Sequence, residues 1–509
     1  MSDPTYGVPE PVAVPVASGP EPEKPDSYIP LWAIVTAIAV MLAGAGVAAY
    51  VVLGGVLETK EKHHGISFPA SWDPRVAPYV KVVEKQRGLR FMHPVTVRFL
   101  PDKAFEKTVT ADEKDLDKND RKEIEQQTGL MRAVGLLAGD VDLFAAMNDA
   151  TGAGTLAYYS FEKKDIVIRG TALTLAVHAT LVHELTHALQ DQYFDISTKQ
   201  VADAKKADER DGAGGTAASV FDAIVEGDAE RVANKYRQSL PRAQRQALAK
   251  AEDRDTQDAD KAYTKIPRVV LTLMSSPYTL GQAMVNTIAE DGGNAAVDAL
   301  FRDPPTHEAA LLDPLEVIEG RTGAKKVPAP ALADGEKKIA ADEFGALTWF
   351  FVLGQRMPLK DALAAADGWN GDQYVAFDRQ DTTCARIDVA TDSSADATRF
   401  LGAVRRWIAE VPGTPASVKK RGALVRFESC DPGKKANTGK DDSTDALTLV
   451  TVRGQLGAEF VKQGAPVKVA RCLSERSVQE FPISTLTASK ISDADTARLR
   501  GLARECAGQ

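Results

Sequence analysis

The stretch Leu173 to Phe194 reads LTLAVHATLVHELTHALQDQYF, and the architecture follows from how it is read. Leu173, Val177, Thr180, Leu181, Glu184 and Ala188 fall at helical spacing, which predicts one continuous helix. Inside it stands the pentapeptide His183-Glu184-Leu185-Thr186-His187. Residues four apart on a helix point the same way, so His183 and His187 can present two imidazoles to one cation while Glu184 projects beside them. Zinc is the usual metal for such a pair. It lowers the pKa of its water to roughly 7, leaving Glu184 to take the proton as hydroxide attacks a carbonyl. With 7 His and at most 71 Glu in the chain, chance supplies this pattern only about 0.013 times. The competing reading is two histidines that line a helix face and hydrogen-bond within a core.

A catalytic zinc takes a third protein ligand and keeps its fourth position open. No further histidine follows at short range, which disfavours a three-histidine site. The next predicted helix, Ala217 to Gln238, carries Val225-Glu226-Gly227-Asp228-Ala229-Glu230. Glu226 follows apolar Ile224 and Val225, and a carboxylate on a half-buried helix is costly unless it is paired or bound to a metal. Glu226 is therefore the expected third ligand. Glu230, one turn after Glu226, and Asp191, one turn after His187, are candidate acceptors for the imidazole N–H groups. Surface solvation is the plainer role for both, above all for Asp191. His178 lies nine residues before His187, about half a turn out of phase, and His63, His64 and His93 read as interfacial or structural. Upstream, Thr155 to Phe161 and Asp165 to Arg169 read as a hairpin turned at Glu162, Lys163 and Lys164.

The helix with HELTH followed by a glutamate within EGDA resembles the gluzincin metallopeptidases, the group that contains thermolysin. More narrowly, Leu181 to Phe194, Pro277-Tyr278-Thr279-Leu280-Gly281, and Pro304-Pro305-Thr306 followed by Glu308 are similar to uncharacterised membrane-anchored bacterial members of that group. The resemblance covers roughly Arg75 to Phe377. It implies His183, His187 and Glu226 as zinc ligands and Glu184 as general base. It also implies that the strand near Thr155 to Ser160 is the edge to which an extended peptide adds itself. The chain departs from the narrower pattern at His307, where relatives carry small polar residues. Acyl transfer wants a donor for the developing oxyanion, and Tyr278 or His307 could supply it.

The remaining chain bounds the reading. At roughly 150 residues per domain, 509 residues suggest about three units. A net charge of -9 removes the cationic field that nucleic-acid binding needs, so no nucleic-acid partner is expected. Residues 1–27 read as a disordered Pro-rich tail, and 28–57, uncharged throughout, as a transmembrane helix. All four cysteines lie in the last quarter, and two disulfides, Cys384 with Cys430 and Cys472 with Cys506, are the preferred pairing; this favours an extracytoplasmic body. The expected fold class is α+β. A mainly helical zincin-like domain with a small sheet occupies 58–380, preceded by the transmembrane helix. A small α/β region, 381–460, and a helical hairpin, 461–509, follow it, serving protein interaction or stabilisation. Beyond Gly368 the texture changes to alternating strands and helices, Cys384 to Ala390, Ser394 to Ala409, Ala423 to Glu428 and Ala446 to Gly454. The expected function is that of a single-pass zinc peptidase of the cell membrane, acting on a peptide or protein substrate. The alternative is a catalytically inactive, zinc-stabilised surface binding or scaffold protein.

Overall fold

The computed structural model describes residues 67–196, 216–321, 323–435, 443–488 and 491–508. Helix α1 (Ala77–Arg87) leads into β1 (Thr96–Leu100), α2 (Asp102–Val109), α3 (Lys118–Ala133) and α4 (Leu143–Gly154). The expected hairpin forms as β2 (Ala157–Ser160) and β3 (Asp165–Arg169), and its turn is closed by Lys164 in the left-handed region. β3 pairs with β1 in parallel and with β2 antiparallel, so the sheet order β1-β3-β2 leaves β2 at an edge.

Helix α5 (Val177–Phe194) lies against β2 and is buried almost all round. On its other side runs α6 (Ala217–Ser239), which in turn packs on α8 (Arg268–Arg302); the charged α7 (Arg242–Tyr263) is the excursion between them. α8 breaks at Gly293, whose φ of 66° a residue without Cβ adopts freely. The apolar pattern of the sequence breaks at the same place, between Ala289 and Ala295.

The second sheet is built from β4 (Lys337–Asp342), β5 (Trp369–Asp378), β6 (Thr383–Thr391), β7 (Ala416–Arg421) and β8 (Leu424–Cys430), all antiparallel in the order β4-β5-β6-β8-β7. Helices α9 (Ala346–Gly354) and α10 (Leu359–Ala366) connect β4 to β5, and α11 (Ser394–Glu410) connects β6 to β7. The boundary expected at 380 falls in the turn between β5 and β6, two paired strands. The last segment of the expected alternation, Ala446 to Gly454, lies inside helix α12 (Ser443–Lys462). α13 (Val467–Glu480) and α14 (Asp493–Ala507) are stapled by Cys472–Cys506, and Cys384–Cys430 joins β6 to β8.

The architecture is thus α+β, dominated by helices, and one part of the expected fold class is corrected. Among the described residues no helix is long and apolar enough to cross a membrane. Even α8, at 35 residues, interrupts its apolar positions with Ser, Thr, Gln and Asn. The segment 28–57 lies outside the described residues. The described helices thus offer no membrane span, which corrects the expected transmembrane helix, the membrane as a partner and the single-pass location at the cell membrane. Disulfides such as these two persist mainly in oxidising compartments.

Candidate metal centre

Helix α5 places His183 and His187 one turn apart, and α6 crosses it so that Glu226 meets them both. His183 Nε2 and His187 Nε2 lie 2.9 Å apart; Glu226 Oε2 lies 3.2 Å from the first and 3.3 Å from the second. Among the described residues these three form the group able to hold a metal ion, and all are buried. Zinc bonds of about 2.0–2.1 Å in tetrahedral array set neighbouring donor atoms about 3.3 Å apart. Two imidazole nitrogens and one carboxylate oxygen at these separations fit zinc in chemistry and in size.

The far side of each imidazole is also held. His183 Nδ1 faces Glu230 Oε2 at 3.4 Å, and Arg237 donates to the other oxygen of Glu230 at 3.1 Å. Burial alone would raise the Glu230 carboxyl, but Arg237 and His183 overcome it and hold it below its ordinary value. Burial would likewise lower the His183 imidazole, yet Glu226 and Glu230 push it up to about 10, so the surroundings favour positive charge at this point. His187 Nδ1 lies 3.0 Å from Gln190 Oε1, a partner that sequence reasoning missed although Gln190 follows His187 by three residues on the same helix. Asp191, considered for that part, turns the other way. It accepts from the Tyr159 hydroxyl at 2.8 Å and from Lys164 at 2.5 Å, tying the β2–β3 hairpin onto α5.

Glu184 sits at 0% exposure, and burial raises its carboxyl. The backbone N–H of Tyr159, on edge strand β2, donates to Glu184 Oε2 at 2.7 Å, while among the described residues no group bonds Oε1. Phe161 stands edge-on to His187, with centroids 5.8 Å apart. Glu184 is thus anchored by one oxygen to edge strand β2.

Two motif glycines explain how close the helices come. A Cβ on Gly227 would fall 2.1 Å from the carbonyl carbon of Gly281, and one on Gly281 would fall 1.8 Å from the Ala223 carbonyl oxygen. Only bare backbone lets α6 and α8 cross at this distance. The crossing brings Tyr278, one turn before Gly281, beside His183, with rings stacked at 24° and centroids 6.2 Å apart. His307 is placed elsewhere. Its Nδ1 bonds Glu343 at 2.8 Å and its ring lies against Trp369. Thr216, which also donates to Glu343, precedes Glu226 by ten residues, about 15 Å along the axis of α6. Beside this pair Glu308 is buried, and burial together with the charge of Glu343 pushes it up to about 8.

A family model described as a domain of unknown function (DUF8575) matches residues 332–452. That span holds the five-stranded sheet and the start of α12, including Glu343 and Trp369 around His307, and begins after the helices that carry His183, His187 and Glu226. No curated protein and no solved structure matches the chain.

Proposed function

We propose that this protein is a zinc-dependent peptidase that hydrolyses peptide bonds of a peptide or protein substrate, with Glu184 as general base. The observation that carries the reading is the convergence of His183 Nε2, His187 Nε2 and Glu226 Oε2 within 3.3 Å of one another, from two helices, with Glu184 beside them. A zinc ion held by those three residues would supply Lewis acidity and acidify a water for attack on a carbonyl. The chain's own part is proton handling and alignment. Glu184 Oε2 is fixed by the Tyr159 N–H, which leaves Oε1 to accept a proton and return it to the leaving amine. Edge strand β2 offers backbone groups to an extended substrate, which would lie alongside the same strand that positions Glu184. Tyr278, stacked on His183, is the better-placed oxyanion donor of the two read from the sequence.

The burial of the centre favours a second reading. His183, Glu184 and His187 are all at 0% exposure, as in a zinc site that serves stability alone, in a binding protein without turnover. The first reading requires that substrate gain access to this buried centre. Glu184→Gln separates the two. In a peptidase the variant keeps its zinc, measured by metal analysis, and loses cleavage of a generic peptide library by several orders of magnitude. Full cleavage by the variant would overturn the mechanism. A wild-type protein that binds zinc and cleaves nothing would establish the second reading.

A further inference from the structure

Gln190 is 1% exposed and makes three hydrogen bonds. Its Nε2 reaches the Val225 carbonyl oxygen at 3.0 Å and Asp228 Oδ2 at 3.1 Å, and its Oε1 faces His187 Nδ1 at 3.0 Å. The two oxygens beyond Nε2 decide which way round the amide stands. A backbone carbonyl only accepts, and Asp228 meets Arg87 Nε at 2.9 Å and Arg231 Nη2 at 2.9 Å, so it too is an acceptor. Two acceptors demand both protons of the amide nitrogen, since the reverse orientation would face oxygen with oxygen. Oε1 is thereby left towards His187, and an oxygen there can only accept. His187 must then carry its proton on Nδ1, which leaves the Nε2 lone pair directed at His183 Nε2 and Glu226 Oε2.

We propose that Gln190, oriented by the Val225 carbonyl and by Asp228 with its two arginines, is a positioning residue that sets the tautomer and ring orientation of His187 for metal binding. The inference rests on the zinc reading of the site. It assigns His187 a neutral amide partner, where His183 has the carboxylate of Glu230. The same clamp joins α5 to α6, because Gln190 and His187 stand on one helix and Val225, Glu226 and Asp228 on the other. Partners of this kind fix ligand orientation, and their loss typically costs 10–100-fold in metal affinity.

Gln190→Met keeps the length and volume of the side chain and removes both its acceptor and its donors. Zinc affinity of the full chain is measured by chelator competition. Alongside it, nitrogen-15 spectra of imidazole-labelled histidine are recorded in the zinc-loaded protein, with His187 assigned through the loss of its signals in His187→Ala. The wild type is expected to show a His187 proton on Nδ1, protected from exchange. The Met variant is expected to bind zinc about 10–100-fold more weakly and to lose that protection. A Met variant within about 2-fold of wild-type affinity, with its Nδ1 proton still protected, would overturn the proposal at a typical cost of this size. So would a wild-type spectrum with the proton on Nε2, and that spectrum decides the matter even where the variant does not fold. A wild type that binds no zinc strikes the peptidase reading itself. A zinc-binding wild type with an unmoved variant strikes only the role of Gln190.

Discussion

At Tyr278 the ring stacks on His183 and is 2% exposed, which puts a phenol inside the enclosure of the proposed zinc site. One oxyanion donor is worth about 10²–10³ in kcat. Tyr278→Phe is therefore expected to lower kcat on a cleaved library peptide by about that factor, with zinc content unchanged. His307→Ala is expected to leave kcat within a few-fold, since its imidazole is engaged with Glu343; kinetics of the two variants on one peptide check both statements. Glu308 offers a different test. Its carboxyl is raised from 4.5 to about 8 in the folded protein, first by burial and then by Glu343. The folded state therefore holds this proton more tightly than the unfolded chain does. The stability so gained is fully present below about pH 4.5 and is lost as pH rises through about 8. Glu308→Gln removes the ionisation and keeps an acceptor oxygen. Its stability relative to wild type should thus improve between pH 5 and 8, by on the order of 2–4 kcal/mol, read from denaturant unfolding at each pH. A flat difference across that range would contradict the sign.

At the scale of elements, the site depends on how closely three helices approach. α5 supplies both imidazoles, α6 the carboxylate and α8 the phenol, and the α6–α8 crossing is closed by Gly227 and Gly281 against Ala223. Gly281→Ala inserts a methyl group where backbone already stands, so α6 must shift. Overpacking of this kind typically costs about 1–3 kcal/mol, and a displaced Glu226 should weaken zinc as well. Thermal unfolding and chelator competition on the variant would show both losses together. Unchanged zinc affinity would mean that Glu226 is held by α5 rather than by α8. The glycines of GDA in α6 and TLG in α8 thereby acquire a physical cause: each stands where its partner helix touches.

Over the whole molecule, one hydrophobic core runs from Val76 to Val478. It takes in Leu181 and Leu185 of α5, Phe427 of the second sheet and Ala446 to Val452 of α12. α12 lies directly along α8, with Gly454 against Ala283. A chain truncated after Asp378 would lose β6, β8 and α12 from that core. It is expected to fail to fold cooperatively and to bind no zinc, as circular dichroism and metal analysis would show; a folded, zinc-binding truncation would mean the two parts are separable. Much of this was legible locally. The helix bearing His183, Glu184 and His187, the hairpin before it, the break in α8 and both cysteine pairs follow from spacing and periodicity, because each depends on residues near in sequence or on few pairing choices. The metal group needed one step more, a carboxylate 39 residues beyond His187 whose apolar neighbours predicted its burial. What the chain alone could not specify depends on packing between distant segments. Gln190 rather than Asp191 meets His187 because α6 presents Val225 and Asp228 to the amide, while the hairpin claims Asp191. Tyr278 and His307 were equivalent candidates by chemistry; the glycine crossing brought one to His183, and the second sheet bound the other to Glu343. Sequence by itself determined which side chains could serve a cation. Only the tertiary structure decided which of them share one buried point, since close approach is set by backbone contact and burial that no local pattern encodes.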